Sequence, residues 1–153
     1  MIRFKHASRI LAPVLVALCG LSATSAMAAD LQPSQVPAQV RAVVEKMYPK
    51  AAFIEWEFDK EDGYYEAEFR NAGQDVDLKI TPEGQMLYAK EDKSARDVPE
   101  AVRTAVLAKH PGARILDAEY IRRGTEQWWE VDLQLSSGVY IDVYSSPDGK
   151  SLN

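Results

Sequence analysis

The sequence predicts an α+β fold: two tandem repeats, each a helix followed by a three-stranded meander, forming one antiparallel sheet with the helices packed on one face. Three observations carry this reading. "VPAQVRAVVEKMYPKAAF" from Val36 returns as "VPEAVRTAVLAKHPGARI" from Val98, an offset of 62. "YYEAEF" (64–69) matches "WWEVDL" (128–133) at 64, and "VDLKITPEG" (76–84) matches "IDVYSSPDG" (141–149) at 65. After each proline-ended opening, the apolar period changes from helical spacing to strict alternation. Matches that keep their order, with drift confined to loops, read as an internal repeat.

The first stretch lies outside that fold. "MIRFKHASR" is basic, "ILAPVLVALCGL" is apolar, and "SATSAMA" ends in an A-x-A pattern. This is a secretory signal over residues 1–28, with cleavage expected between Ala28 and Ala29 and the periplasm as destination. Its apolar core is about a dozen residues against the roughly 20 of a spanning helix, so no stable membrane insertion is expected after cleavage. Cys19 follows Leu18 rather than the small residue of a lipoprotein signal. The remainder, 29–153, reads as a single domain made of repeats 35–88 and 97–152.

In the first repeat Val40, Val43, Val44 and Met47 form one apolar helical stripe. Pro37 suits a first turn, where a missing N–H costs nothing, and Pro49 ends the helix by restricting the residue before it. In the second, Val102, Ala105 and Val106 form the stripe, and Asp97 with Glu100 reads as a capping box. Alternating strands follow at 53–58, 64–69 and 75–80, then at 115–121, 127–135 and 139–144. "DKEDG" (59–63), "NAGQ", Arg123-Gly124 and Ser137-Gly138 are turns. "AKEDKSARD" (89–97) reads as a polar linker between the halves.

The duplicated helix-plus-meander, the "VPxxVr…yPgA" opening and the "YYEAEF" and "WWEVDL" strands resemble the PepSY-like domain family, with the architecture of the β-lactamase inhibitor protein. The resemblance covers roughly residues 35 to 152. It implies an exported binding or inhibitory module; it does not imply that β-lactamase is the target. That inhibitor has disulfides, whereas here the one cysteine, Cys19, lies in the leader.

Composition excludes much else. The whole chain carries 18 basic and 23 acidic residues. Without the leader's Arg3, Lys5 and Arg9, 15 basic residues face the 23 acidic ones, a net charge of −8. Such a chain repels nucleic acid and anionic membranes. His110 is the one histidine outside the leader and ends a helix, so no Ser-His-Asp or Cys-His pair can be assembled. "DKEDG" lacks the glycine and glutamate positions of an EF-hand loop. Glu66/Glu68 and Glu130/Asp132 lie about 7 Å apart along their strands, a spacing also found in glycosidases, but an open charged face offers no cleft to raise a working acid's pKa. No enzyme and no cofactor are expected.

Alternation sorts the strands by face. Tyr65, Ala67, Phe69, Val76, Leu78, Ile80, Trp129, Val131, Leu133, Leu135, Val139, Ile141 and Val143 are expected in the core. The opposite face then carries Trp128, Tyr140 and Tyr144 as apolar anchors, Tyr64 beside them, and Glu130, Asp132 and Asp142 as charge complements. Rigid aromatics among carboxylates on an uncovered face fit recognition of a periplasmic protein or a basic peptide. Aromatics also favour strands through cross-strand pairing, and that reading stays open. The alternative function is a periplasmic sensor or carrier of a small cationic ligand or metal ion.

Overall fold

The computed structural model describes residues 30–153, so the leader expected over 1–28 lies outside the described residues. Two helices, α1 (Ala38–Met47) and α2 (Glu100–Lys109), precede two runs of strand. The first run is β1 (Ala52–Asp59), β2 (Tyr64–Asn71), β3 (Gln74–Ile80) and β4 (Met86–Ser94). The second is β5 (Arg114–Arg123), β6 (Glu126–Gln134) and β7 (Tyr140–Ser145). All seven form one antiparallel sheet in which spatial order equals chain order.

This corrects the expected fold class. The described residues are largely β, 47% strand and 19% helix, and not an α+β pair of helix-plus-three-strand repeats. The difference is β4, which takes most of the stretch read as linker. Its polar residues hide it from any hydrophobic period, yet they are bonded on both sides. Lys90 lies 3.3 Å from Asp77 on β3 and 3.4 Å from Glu119 on β5. On the helix-covered side Glu91 accepts from the Tyr48 hydroxyl at 2.6 Å and from Arg122 at 2.6 Å, and Lys93 sits 2.7 Å away. Charged side chains paired across strands replace the apolar contacts that usually mark a central strand.

That polar seam separates two apolar cores. Val40 and Val44 of α1 pack with Trp56, Ala67, Phe69 and Leu78. Val102 and Val106 of α2 pack with Ala118, Trp129, Val131 and Val143. The register puts the sheet residues of both sets on one face. Each fully buried valine is worth about 1.5–3 kcal/mol, and with the partly buried Val43, Met47 and Leu107 they anchor the two ten-residue helices to the sheet.

The "TPEG" and "SPDG" turns brace the helices in parallel ways. Both glycines have positive φ, +85° at Gly84 and +72° at Gly149. A Cβ on Gly84 would lie 3.0 Å from the Gln39 carbonyl oxygen, and one on Gly149 only 2.5 Å from that of Ala101. Turn and first helical turn touch backbone to backbone, so both conformation and clearance demand glycine there.

Two local expectations are corrected. Pro99, not Asp97, is the N-cap of α2, with no side-chain cap; Asp97 accepts from the Ser94 N–H and hydroxyl and from Gln74. Val139 is 54% exposed rather than core, because it precedes β7 in the turn and its carbonyl accepts from the Leu135 N–H.

Candidate functional site

With both helices on one side, the other side of the sheet faces outward uncovered. Its residues follow from register, because directly opposed residues of an antiparallel pair share a face. One row runs Glu55, Glu68 and Asp77, and a second pairs Glu57 with Glu66. At the far end of the sheet the rows are Asp117, Asp132 and Asp142, and Glu119 with Glu130. Like charges directly opposed across strands cost stability, so these are two acidic ladders held against their own repulsion.

Cations occupy the middle of the face. Lys79 on β3 bonds Glu66 at 3.0 Å and the Tyr64 hydroxyl at 2.8 Å, with its ammonium over the Tyr64 ring. Burial works against its charge, but Tyr64 and Glu66 outweigh this and raise its pKa. Lys90 reaches Asp77 and Glu119, one carboxylate from each ladder. A shallow cavity of about 640 Å³ opens here, bordered by Tyr64, Glu68, Lys79, Tyr88, Lys90 and Arg123.

The expected site residues divide into two groups. Trp128, Glu130, Asp132, Tyr140, Asp142 and Tyr144 come together on β6 and β7. Tyr140 and Tyr144 are 67% and 41% exposed, and Trp128 is half-buried. The Tyr144 hydroxyl donates to Glu130 at 3.1 Å, and Gln134 donates to the Tyr140 hydroxyl at 3.0 Å. Tyr64 stands apart on β2, 9% exposed beneath Lys79, where it orients that lysine rather than offering a free anchor.

Electrostatics separate the ladders as well. Burial first, then the charges of Asp142, Glu119 and Asp117, push Asp132 up to about 6. Burial also raises Glu130, with the Tyr144 bond opposing and the neighbouring carboxylates adding to it. A carboxylate in such surroundings gains when a cationic group approaches. The acids stand in cross-strand rows rather than converging on a point. Among the described residues no group of three or more His, Cys, Asp or Glu side chains is arranged to hold a metal ion.

Sequence reasoning missed Tyr88, Lys90 and Arg123. Both Tyr88 and Lys90 belong to β4, where Tyr88 ends the first expected repeat and Lys90 lies in the expected linker, and Arg123 lies in an expected turn. Alternation counted from Ala89 would have put Tyr88 and Lys90 on the open face; nothing in the pattern announces it.

Comparison with solved structures supports the architecture. A DUF2874 family protein from Bacteroides uniformis aligns at TM-score 0.59 and 24% identity, over 76% of this chain and 88% of that one. A BLIP-like protein from Bacteroides fragilis aligns at TM-score 0.61 and 23% identity, over 76% and 83%. A third, from Bacteroides eggerthii and provisionally named periplasmic, aligns at TM-score 0.59 and 22% identity, over 77% and 88%. No protein-family model and no curated protein matches the sequence. The fold is therefore BLIP-like. Among the described residues no helix is long and apolar enough to cross a membrane.

Proposed function

We propose that this chain is an exported, non-catalytic binding module that recognises another periplasmic protein, or a basic peptide of one, through the uncovered face of its sheet. The observation that carries the reading is the pair of acidic ladders on that face. Glu55, Glu57, Glu66, Glu68 and Asp77 stand at the sequence offsets of Asp117, Glu119, Glu130, Asp132 and Asp142. A sheet built for stability alone sets opposite charges or hydroxyls across its strands. A local rule broken twice, at matching positions, and offset by a ladder lysine only in the first, marks the second ladder above all as a surface whose compensation comes from outside. A basic surface supplies it, and Trp128, Tyr140 and Tyr144 add rigid apolar contact beside the second ladder. Inhibition of the partner follows where that contact covers its working surface. The basic-apolar leader supports export, and the "VPxxVr…yPgA" openings support a PepSY-like affiliation.

The test is capture from a periplasmic extract. Three forms are compared: the wild-type chain, an Asp132→Lys/Asp142→Lys variant, and a Glu45→Lys control on the exposed side of α1. A protein held by wild type and control but lost from the ladder variant supports the reading. Equal retention by all three forms sinks it. So does a cation-dependent rise in melting temperature with no capture, which favours the small-cation alternative.

A further inference from the structure

On a face crowded with carboxylates, Arg123 pairs with none. It is exposed at the end of β5, directly opposite Glu126 in the register, yet no carboxylate of the described residues forms an ion pair with it. Its guanidinium carbon lies 5.6 Å from the Tyr88 ring centroid and 5.9 Å from that of Trp128. Contact with rings uses the flat face of a guanidinium, whereas its N–H donors point outward in the plane. The two rings flank Arg123, and its fork of donors takes no carboxylate or other acceptor among the described residues. Lys79 and Lys90, the neighbouring cations, are already engaged by Glu66, Asp77 and Glu119.

Arg123 borders the cavity of about 640 Å³ on the β5 side, and Glu68 borders it on β2. Glu68 stands opposite Glu55 and Asp77, and no cation of the described residues bonds it. Burial, then the charges of Asp77 and Glu66, raise its pKa. The register aligns Glu68 with Asp77, Lys90 and Ile121, one row from Arg123. The two are therefore about 14 Å apart across the sheet and about 7 Å along it, roughly 16 Å in all, within reach of two long side chains four residues apart on an extended chain of about 13 Å. Residues four apart in a strand also share a face.

We propose that this cavity is the subsite that orients the partner: Arg123 receives a carboxylate from a partner segment, and Glu68 receives a lysine or arginine four residues away on the same extended segment. The assignment rests on the binding-face reading above. With acidic ladders at both ends, a purely basic segment would dock equally well in two directions. One position that demands a carboxylate removes that degeneracy and gives specificity at little cost in affinity. A second copy of this chain does not fit, since it would present acidic ladders to acidic ladders.

Two synthetic peptides test this against the purified protein by calorimetric titration at low salt. One is built of lysine and threonine with a single glutamate four residues from a lysine; the other has glutamine in place of that glutamate. Wild type should bind the glutamate peptide about tenfold more tightly. In Arg123→Gln that preference should vanish while both peptides still bind, and Glu68→Gln should weaken both alike. Both side chains are exposed, so the variants should fold, which circular dichroism checks. Equal binding of the two peptides by wild type overturns the orienting subsite and leaves the binding face standing. If wild type binds neither peptide, the binding-face reading fails and takes this proposal with it.

Discussion

The two acidic ladders are built alike and braced differently. In the β1–β3 ladder, position 79 is a lysine that bonds Glu66; at the matching offset in the β5–β7 ladder stands Tyr144, whose hydroxyl donates to Glu130. A cation neutralises the first ladder from within, and an exposed aromatic merely hydrogen-bonds the second. Lys90 helps both, but it reaches only Glu119 on the far side. One scaffold thus carries a surface balanced by its own lysine and a surface left acidic, with aromatics at its edge. The second is the better candidate for a partner because its charges have fewer internal partners.

The largest expected effect concerns the brace beneath each ladder. Gly149→Ala should cost about 2–4 kcal/mol and Gly84→Ala about 1–2 kcal/mol, because both force an alanine to positive φ and only the first drives it hard into backbone. Urea unfolding of the two variants measures this, and equal losses would mean the turn–helix contacts are equivalent. Next is the seam between the cores. Glu91→Ala leaves Arg122, Lys93 and the Tyr48 hydroxyl without their shared acceptor and should cost about 2–3 kcal/mol. A second unfolding transition in that variant would show that the seam, rather than the sheet alone, couples the two cores.

Smaller effects come from exchanging the braces. Tyr144→Lys should stabilise the protein by about 0.5 kcal/mol by giving the second ladder its own cation, and Lys79→Tyr should destabilise it by about as much. The same Tyr144→Lys variant should lose binding of a lysine-rich peptide, which separates stability from recognition. The smallest effect is in pH dependence. Asp132 has its pKa raised from 3.8 to about 6 in the folded state, so it takes up a proton on folding across that window. Its contribution is present in full below the unfolded value and is lost as pH rises through about 6. Melting temperatures at pH 4.5 and 7.5 should therefore differ between wild type and Asp132→Asn, with the variant gaining more at the higher pH. Glu91 runs the other way: Lys93, Tyr48 and Arg122 outweigh burial and lower its pKa, so its contribution fades on acidification. Only the difference between wild type and variant isolates Asp132.

Much of this was legible in the residues, for identifiable reasons. Val40, Val44, Val102 and Val106 keep helical spacing, and the alternating strands fall within one or two residues of their expected limits. Ladder residues such as Glu66 and Asp132 could be assigned to the open face because a period of two leaves no choice once Ala67 and Val131 are buried. What could not be read depends on partners far along the chain. β4 has no period of its own and is held by Asp77, Glu119, Tyr48 and Arg122. Tyr64 reads as an anchor until Lys79 is seen covering it, and Arg123 reads as a turn residue until Tyr88 and Trp128 close on it.

Strand order equal to chain order has a kinetic consequence. Every strand pairs with its neighbours along the chain, and all but one of the loops to be closed are short turns of small entropy cost; β4 and β5 pair across the longer segment that carries α2. A seven-stranded sheet of this kind should fold far faster than a sandwich of equal size, whose strands pair across long separations. Hairpins can be added one after another as the chain becomes available, each docking on the edge left by the last. Until the sheet is complete, each newly placed strand presents an edge open to mispairing, which the next strand covers as it arrives.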